Sequence, residues 1–262
     1  MSDLVSIIIT NYNYGEYLAE AIESALGQSY PNVEVIVIDD SSEDNSIEIA
    51  SQYDVLVLQQ PNQGVCAARN NAVKHASGKY IMFLDADDVL CPDTVENLKA
   101  GLDEAPSDAA YSYGQFEYFG FKTGVFKSRP FCAKALSKDN FICITTLMKK
   151  SAFEQVRGFD LAFPCREDWE LYVRLFHEGY VGHFVEKVIL KYRKHKEVER
   201  KRFNKPKNLL RTKMFLKFPG FFLSLFFKKI HKCAFYMVTE PDCWKLGQYQ
   251  TQKPAQVIKA LD

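Results

Sequence analysis

The chain has 262 residues, and its 33 Lys and Arg residues balance its 33 Asp and Glu residues. Apolar residues make up 47% of the composition and aromatic residues 14%, and no stretch is repetitive or rich in Pro, Gly, Ser or Gln. This composition is typical of a globular protein with one large or two small domains, and it excludes the disordered and fibrous classes.

The balanced total charge hides a local asymmetry. Between Lys187 and Lys232 there are 16 Lys and Arg residues and two acidic ones, while the rest of the chain has 17 basic and 31 acidic residues. Phe and Leu residues are interleaved with the basic segment, which favours an anionic membrane surface as a partner. A basic helical extension that packs its Phe face on the main domain would show the same pattern. No RNA- or DNA-binding motif is present, so nucleic acid is not an expected partner.

Short apolar runs alternate with helical patterns over the first hundred residues. The β-branched run Val5–Thr10 predicts a strand buried on both faces, and the apolar spacing from Tyr17 to Leu26 predicts a helix. Further along the chain we predict strand 33–38, a helix from Asp44, strand 55–58, helix 65–76, strand 80–84, helix 92–102, extended segments over 109–126, helices over 149–156 and 167–178, and an extended segment over 181–192. Such alternation builds a parallel sheet covered by helices.

Polar and acidic side chains follow three of the predicted strands, which end in Thr10–Asn13, Asp39–Asp40 and Asp85–Asp88. Ligands of such sheets bind beyond the carboxyl ends of the strands. Carboxylates that converge there repel one another unless a cation is present, and all-oxygen ligation suits Mn²⁺ or Mg²⁺ shared with substrate phosphates. Alone, the Asp-x-Asp pattern is a weak signal, because Asp is also common in turns.

The sequence has neither a GxxxxGK[ST] nor a GxGxxG motif, so the usual backbone phosphate cradles are missing. Ligand phosphates would then be held by a metal and by side chains, for which Arg69 and His195 are candidates. His195 could also ligate a metal, although a lone His in a basic stretch is more often a surface residue. Tyr12 could stack on a base or simply pack, and Asp40 could accept a hydrogen bond from a base or cap the following helix.

Seven segments occur in a specific order and spacing. They are VSIIITNYN (5–13), LGQSYP (26–31), EVIVIDDSS (34–42), NQGVCAARN (62–70), GKYIMFLDADD (78–88), GFD (158–160) with REDWEL (166–171), and YRKH (192–195). Together they resemble the family 2 glycosyltransferases of the GT-A fold over about residues 4–196. The resemblance implies an α/β, Rossmann-like fold with a mostly parallel central sheet and flanking helices. It also implies a nucleotide-binding half (1–104) and an acceptor-binding half (105–196). Beyond the resemblance, the charge and Phe pattern predicts a basic, Phe-rich, helical C-terminal extension (197–262).

The same resemblance implies an inverting enzyme that moves a sugar from a nucleotide sugar, usually a UDP-sugar, to a glycan or lipid-linked saccharide acceptor. By position, Thr10, Tyr12 and Asp40 would hold the uracil. Arg69 would lie near the nucleotide, and Asp87 would contact the ribose.

Metal binding and catalysis are assigned by the same resemblance. Asp88 would be the main ligand of Mn²⁺ or Mg²⁺, with Asp85 close by and His195 able to approach the metal or the diphosphate. Asp168 would be the catalytic base that deprotonates the acceptor hydroxyl, and Glu167 would be a supporting residue. A metal that bridges the donor phosphates would stabilise the charge of the UDP leaving group.

Two other interpretations compete with this one. A phosphoacceptor signalling domain also gathers Asp residues around Mg²⁺ at parallel strand ends, but it would have no place for Glu167, Asp168 or the long C-terminal half. An inactive GT-A scaffold could instead serve as a binding module at a membrane surface, although the acids at positions 40, 87, 88 and 168 argue against it.

The sequence also predicts where the protein works. The N-terminal residues lack the basic and apolar regions of a signal peptide, and the seven cysteines include no CxxC pair. The longest apolar stretch, 214–227, is shorter than the roughly 20 residues that span a bilayer. We therefore expect a cytoplasmic protein that can bind peripherally to the inner face of the membrane.

Overall fold

The computed structural model describes residues 2–163, 165–196 and 207–224. The strands are β1 (Val5–Asn11), β2 (Val33–Asp39), β3 (Leu56–Gln59), β4 (Tyr80–Asp85), β5 (Val89–Leu90), β6 (Ala109–Gly120), β7 (Gly124–Phe126), β8 (Leu147–Lys149) and β9 (Val181–Lys194). The helices are α1 (Gly15–Leu26), α2 (Ser46–Ala50), α3 (Val65–Val73), α4 (Thr94–Glu104), α5 (Ala133–Leu136), α6 (Lys150–Gln155), α7 (Glu167–His177), α8 (Lys207–Lys217) and α9 (Pro219–Ser224).

All of these strands form one sheet, in the order β3-β2-β1-β4-β8-β6-β9-β5, with β7 paired to β6. The first four strands in this order pair in parallel, as do β6 and β9. Strand β8 runs antiparallel to both β4 and β6, while β5 and β7 run antiparallel to β9 and β6. The predicted α/β architecture with flanking helices is therefore confirmed, and the second half of the chain makes the sheet mixed.

Strand β1 lies near the middle of the parallel part, between β2 and β4. Its residues Ile7, Ile8 and Ile9 are completely buried, because helices cover both faces of the sheet. Helix α1 turns one apolar stripe, which includes Leu18 and Ile22, toward the same core. This packing fixes the carboxyl ends of β1, β2 and β4 side by side, where the predicted site residues follow.

Short elements account for most of the differences from the prediction. Residues 147–149, which overlap the predicted helix at 149–156, form strand β8, and helix α6 follows it. The two-residue strand β5 and the four-residue helix α5 were not predicted, because such short elements do not show a hydrophobic period. Strand β5 matters for the site, since its pairing of Val89 with Lys191 returns the end of β9 to the Asp85–Asp88 segment.

Helices α8 and α9 pack on the rest of the protein. Met214, Phe218 and Phe221 are buried, and the ring of Phe221 lies 5.7 Å from that of Phe176 on α7. The packing interpretation of the Phe-rich segment therefore holds for these side chains, whereas Leu216 is 71% exposed. The predicted boundary after residue 196 and most of the predicted extension lie outside the described residues. Within the described part of the chain, no helix combines the length and the apolarity needed to cross a membrane.

Candidate functional site

A cleft of about 450 Å³ lies at the carboxyl ends of β1, β2 and β4. We call it the strand-end cleft. It is lined by eight of the ten predicted site residues, namely Thr10, Tyr12, Asp40, Arg69, Asp85, Asp87, Glu167 and His195. The chain brings these residues together from positions almost two hundred residues apart, because the parallel strands end at one edge and β9 returns to it.

Asp87 and His195 meet at this cleft. The Nε2 atom of His195 lies 2.8 Å from Oδ2 of Asp87, and both side chains are about one-fifth exposed. The rings of Tyr14 and Tyr17 lie 5.9 and 5.2 Å from the imidazole. The position of His195 is therefore fixed by one carboxylate and two aromatic rings, which is not the environment of a loose surface residue.

Asp88 faces away from the cleft. It is 2% exposed, and its Oδ1 accepts a hydrogen bond of 2.8 Å from the backbone N–H of Arg193. The Arg193 side chain donates to the backbone oxygen of Asp87 and pairs with Glu20. In this arrangement Asp88 holds the β9 segment against the Asp85–Asp88 turn. Asp87 lines the cleft, whereas Asp88, for which the resemblance implies the role of main metal ligand, does not; that role stays a prediction.

The carboxylates of this turn are electrostatically unfavourable neighbours. Burial raises the pKa of Asp87, and the nearby charge of Asp85 raises it further. Burial, with the charges of Asp85 and Asp87, raises the pKa of Asp88 well above its usual value. A bound cation would offset this repulsion. Carboxylate and imidazole donors fit a divalent ion, but within the described ranges no cluster of three or more His, Cys, Asp or Glu side chains could hold one.

Arg69 connects the strand ends to helix α7. Its guanidinium is 2% exposed and pairs with Asp85 (Nη2–Oδ1, 2.7 Å) and with Glu167 (Nη1–Oε1, 2.9 Å). Burial by itself would lower the pKa of Arg69, but the two carboxylates raise it, so the side chain stays charged. The rings of Phe83 and Phe159 lie within 6 Å of the guanidinium carbon. Glu167 is thus an ion-pair partner of Arg69, and this ion pair holds α7 beside the cleft.

The three predicted base-binding residues also line the cleft. The Oγ1 atom of Thr10 is buried and has no hydrogen-bond partner among the described residues, while Tyr12 is 45% exposed at the cleft. Asp40 accepts hydrogen bonds from the side chain of Gln60 and from the backbone N–H groups of Gln63 and Gly64, at 2.7 to 2.9 Å. Asp40 therefore shapes the loop before α3, in addition to lining the cleft.

Asp168 is partly buried in the first turn of α7. Its Oδ2 accepts a hydrogen bond of 2.8 Å from Nδ2 of Asn140, and its Oδ1 accepts one of 2.7 Å from the backbone N–H of Trp169. Burial raises the pKa of Asp168 to about 7, and the charge of Glu167 contributes in the same direction. A carboxyl group that titrates near neutral pH is suited to take up a proton from a substrate.

A second cavity, of about 640 Å³, is lined by Phe126, Arg129, Cys132, Lys134, Ala135, Lys138, Asp139, Asn140 and Phe141. Asn140, which donates a hydrogen bond to Asp168, thus lines the second cavity, while Glu167, the neighbour of Asp168 in sequence, lines the strand-end cleft. Asp168 itself lines neither space, but a direct neighbour of it lines each of them.

Four residues of this region were not predicted from sequence. Asn140 lies in a loop without a regular pattern, so nothing in the sequence marked it as a partner of Asp168. Tyr14 and Tyr17 belong to the start of α1, whose apolar spacing predicted only a helix. A signal for Arg193 did exist, because it stands in the YRKH segment, from which only His195 was selected.

Comparison with known proteins identifies the family. The family model described as "Glycosyl transferase family 2" matches residues 6–157. A relative from Escherichia coli, named UDP-Glc:alpha-D-GlcNAc-diphosphoundecaprenol beta-1,3-glucosyltransferase WfaP, is 31% identical over 242 residues, which are 89% of this chain and 92% of the relative. Other relatives are longer, and the chain spans about a third of the length of several of them.

Solved structures support the fold. S. aureus TarS in complex with UDP-GlcNAc has a TM-score of 0.64 at 20% identity, covering 92% of this chain and 78% of TarS. Mannosyltransferase PcManGT from Pyrobaculum calidifontis, in complex with GDP-Man and Mn²⁺, has a TM-score of 0.60 at 18% identity, covering 99% of this chain and 79% of that protein. The predicted GT-A architecture is thus confirmed, and the chain belongs to glycosyl transferase family 2.

Proposed function

We propose that this protein is an inverting glycosyltransferase that moves a sugar from a nucleotide sugar, in the first instance a UDP-sugar, to a lipid-linked saccharide in polysaccharide biosynthesis. The observation that carries the proposal is that the two neighbours of Asp168, Glu167 in sequence and Asn140 by a hydrogen bond, line the strand-end cleft and the second cavity. Support for the acceptor class comes from WfaP, whose name specifies a diphosphoundecaprenol-linked saccharide, and support for the donor class comes from the UDP-GlcNAc complex of TarS.

The donor would occupy the strand-end cleft. Thr10 offers a buried hydroxyl with an unused hydrogen-bonding capacity among the described residues, and Tyr12 offers an exposed ring on which a base can stack. Asp40 retains acceptor capacity for a base N–H, because an ionised carboxylate can accept about four hydrogen bonds and three are formed here. Arg69 lies deeper in the cleft, and its charge favours the nearby diphosphate.

Asp87 and His195 would contribute ligands to Mn²⁺ or Mg²⁺ beside the donor diphosphate, with Asp85 close by. Because the described side chains do not supply a complete ligand set, phosphate oxygens and water would provide the rest, as is usual for such ions. When bound, the ion stabilises the negative charge that develops on the departing nucleoside diphosphate. Asp88 would act as the positioning residue for the His195 segment through its hydrogen bond to Arg193.

Asp168 would act as the base. Its carboxylate takes the proton of the acceptor hydroxyl, the oxygen of that hydroxyl forms a bond to the anomeric carbon, and the bond from that carbon to the diphosphate oxygen breaks. The nucleoside diphosphate leaves with the electron pair. Because attack and departure occur on opposite faces in one displacement, the anomeric configuration inverts.

Donor binding can be tested by thermal unfolding with UDP, GDP, dTDP, CMP and their sugars, each with and without Mn²⁺. A ligand at 100 times its dissociation constant stabilises the folded protein by about 2.7 kcal/mol. We expect a Mn²⁺-dependent increase in Tm with a uracil nucleotide. This increase should be lost in Asp87→Asn, because Asp87 faces the cleft, and largely kept in Asp88→Asn, whose amide oxygen can still accept from Arg193.

The pair Asp87→Asn and Asp88→Asn makes this test internally controlled, since both variants lose one carboxylate of the same turn. If the Mn²⁺-dependent increase in Tm were lost in Asp88→Asn and kept in Asp87→Asn, Asp88 would be the main metal ligand. The absence of any nucleotide-dependent shift in the wild type would favour the alternative function, an inactive scaffold that acts as a binding module.

Membrane binding is a separate part of the proposal. Phe215 and Leu216 on α8 are 38% and 71% exposed beside the exposed Lys213, an arrangement that suits the surface of an anionic bilayer. We expect the protein to sediment with phosphatidylglycerol vesicles at low salt, and the double substitution Phe215→Ser, Leu216→Ser to weaken binding at least about tenfold. The matched control is Leu26→Ser, Leu56→Ser, which removes two exposed apolar side chains elsewhere. Equal binding by the two double variants would contradict a membrane role for α8.

A further inference from the structure

The rim of the second cavity is strongly basic. Arg129, Lys134 and Lys138 line it, and all three are exposed. In the described part of the chain the cavity lining includes one carboxylate, that of Asp139, which is paired with Arg166 at 2.8 Å. The lining thus carries three cationic side chains and one carboxylate, whose charge is offset by Arg166 from outside the lining.

The deeper wall of the cavity is apolar and aromatic. Phe141 is buried, and Phe126 stacks on Phe116 with ring centres 4.6 Å apart. The Arg129 guanidinium carbon lies 5.4 Å from the centre of the Phe141 ring, which limits the directions in which the guanidinium can point. A cavity with this combination suits a ligand that has an anionic group next to an uncharged body.

The cavity also has a defined relation to the proposed base. Asn140 lines the cavity and donates its hydrogen bond to Oδ2 of Asp168. A saccharide whose anionic end lay at the rim would therefore extend toward Asp168. The anionic group would be adjacent to the reacting sugar and not part of the donor, which the strand-end cleft accommodates.

The basic rim is connected to the exposed apolar part of α8 and α9. Phe131, two residues after Arg129, has its ring 5.6 Å from that of Phe176. Phe176 contacts Phe221, and Phe221 contacts Phe222, whose ring lies 6.1 Å from the exposed Phe215. A series of aromatic contacts thus connects Phe131, two residues after the cavity residue Arg129, with the exposed Phe215, where a lipid chain could meet the protein.

We propose that the second cavity recognises the diphosphate of a lipid-linked saccharide acceptor, and that Arg129, Lys134 and Lys138 are the phosphate-binding residues. The inference rests on the proposed function and adds the site and the residues that select the acceptor. Several cations match the multiple negative charges of a diphosphate, and the guanidinium of Arg129 can bind two phosphate oxygens at once. A neutral saccharide acceptor would make no use of this rim.

Two soluble acceptors that differ only in the presence of the diphosphate test the proposal. One is N-acetylglucosamine linked through diphosphate to a short phenoxyalkyl chain, and the other is the α-glycoside of the same chain without phosphates. The variant is Arg129→Gln, Lys134→Gln, Lys138→Gln in the full-length protein. The control variant Lys74→Gln, Lys122→Gln, Lys187→Gln makes the same change of charge at positions that line neither the cavity nor the cleft.

The wild type and the control variant should prefer the diphosphate acceptor, by the ratio of kcat/KM values. The cavity variant should lose at least about 100-fold of this preference, through a higher KM for that acceptor, because each charge-assisted hydrogen bond contributes about tenfold or more to affinity. N-acetylglucosamine 1-phosphate serves as a competitor that has one phosphate. It should inhibit transfer to the diphosphate acceptor weakly, because the cavity is expected to recognise the diphosphate. Equal preference in the cavity and control variants would overturn the assignment.

Failure of the proposed function would look different. In that case neither acceptor would be glycosylated by any of the proteins, and the donor would not be hydrolysed in the absence of an acceptor. The cavity can still be tested by isothermal titration of both acceptors in the presence of saturating UDP, which occupies the strand-end cleft. Binding of the two acceptors with equal affinity to the wild type would then overturn the cavity assignment.

Discussion

Substitution of Asp168 by Asn is expected to lower kcat for sugar transfer by about 10²–10⁴-fold, the usual contribution of a positioned general base. The amide has nearly the same shape and can still accept the hydrogen bond from Asn140, so the local structure should persist. Donor binding should change less than about twofold, because Asp168 does not line the strand-end cleft. Steady-state kinetics and titration with UDP measure the two quantities separately.

The pH dependence provides an independent readout for the same residue. Burial raises the pKa of Asp168 to about 7, and a base must be ionised to accept a proton. The rate of transfer should therefore increase by roughly tenfold per pH unit below this value and become constant above it. Glu178→Gln, a change at the exposed end of the same helix, should leave the profile as it is in the wild type.

As the pH rises, the free energy of unfolding should fall, whereas the rate of transfer should increase. Because the pKa of Asp168 is higher in the folded than in the unfolded protein, the unfolded state loses its proton first as the pH rises from 4 to 7, and the free energy of unfolding falls over this interval. Asp168→Asn removes this effect, so the variant should be more stable than the wild type at pH 8. Full transfer activity in Asp168→Asn, or a flat pH profile in the wild type, would contradict the role of Asp168 as the base.

The second large effect is expected at Arg69. Substitution by Met preserves much of the side-chain volume but leaves Asp85 and Glu167 without their buried partner. Removal of one member of a buried ion pair typically costs about 3–5 kcal/mol, because the remaining charge is uncompensated. Equilibrium unfolding in urea at neutral pH measures this loss.

Lys74→Met is the matched control for Arg69→Met, since Lys74 is an exposed cation at the end of the same helix. Its effect should be within about 0.5 kcal/mol. Addition of Asp85→Asn and Glu167→Gln to Arg69→Met should recover part of the lost stability. If Arg69→Met were no more destabilising than Lys74→Met, the Arg69 pairs would not contribute to holding α7 at the cleft.

The sequence was sufficient to predict those parts of the site that depend on regular strands. The buried runs that end at Thr10, Asp39 and Asp85 predict one edge of a parallel sheet, and the structure places these ends side by side. The orientation of neighbouring turn residues could not be predicted in this way. Asp87 and Asp88 are equivalent in pattern, and what distinguishes them is the backbone N–H of Arg193, which reaches Asp88 only through the β5–β9 pairing.

The residues that line the second cavity could not be predicted from the sequence for a related reason. Apart from Phe126 at the end of β7, its lining comes from the segment between β7 and β8, which contains one helix, Ala133–Leu136, and no strand. Hydrophobic periodicity therefore gives little information about this segment. Lys134 and Lys138 are not part of a motif. The segment is connected to α7 by the hydrogen bond from Asn140 to Asp168 and by the hydrogen bond that Trp169 donates to the backbone oxygen of Leu136.

The contact of α8 with α7 has a practical consequence for shortened forms of the protein. Glu170 is fully buried two residues after Asp168, and its charge is matched by Arg174 and by Lys217 at the end of α8. A chain that ended before α8 would leave Glu170 with half of its counter-charge and would uncover Phe176, on the helix that carries the proposed base. Loss of activity after such a truncation would therefore reflect damage to the catalytic helix as much as loss of a membrane anchor.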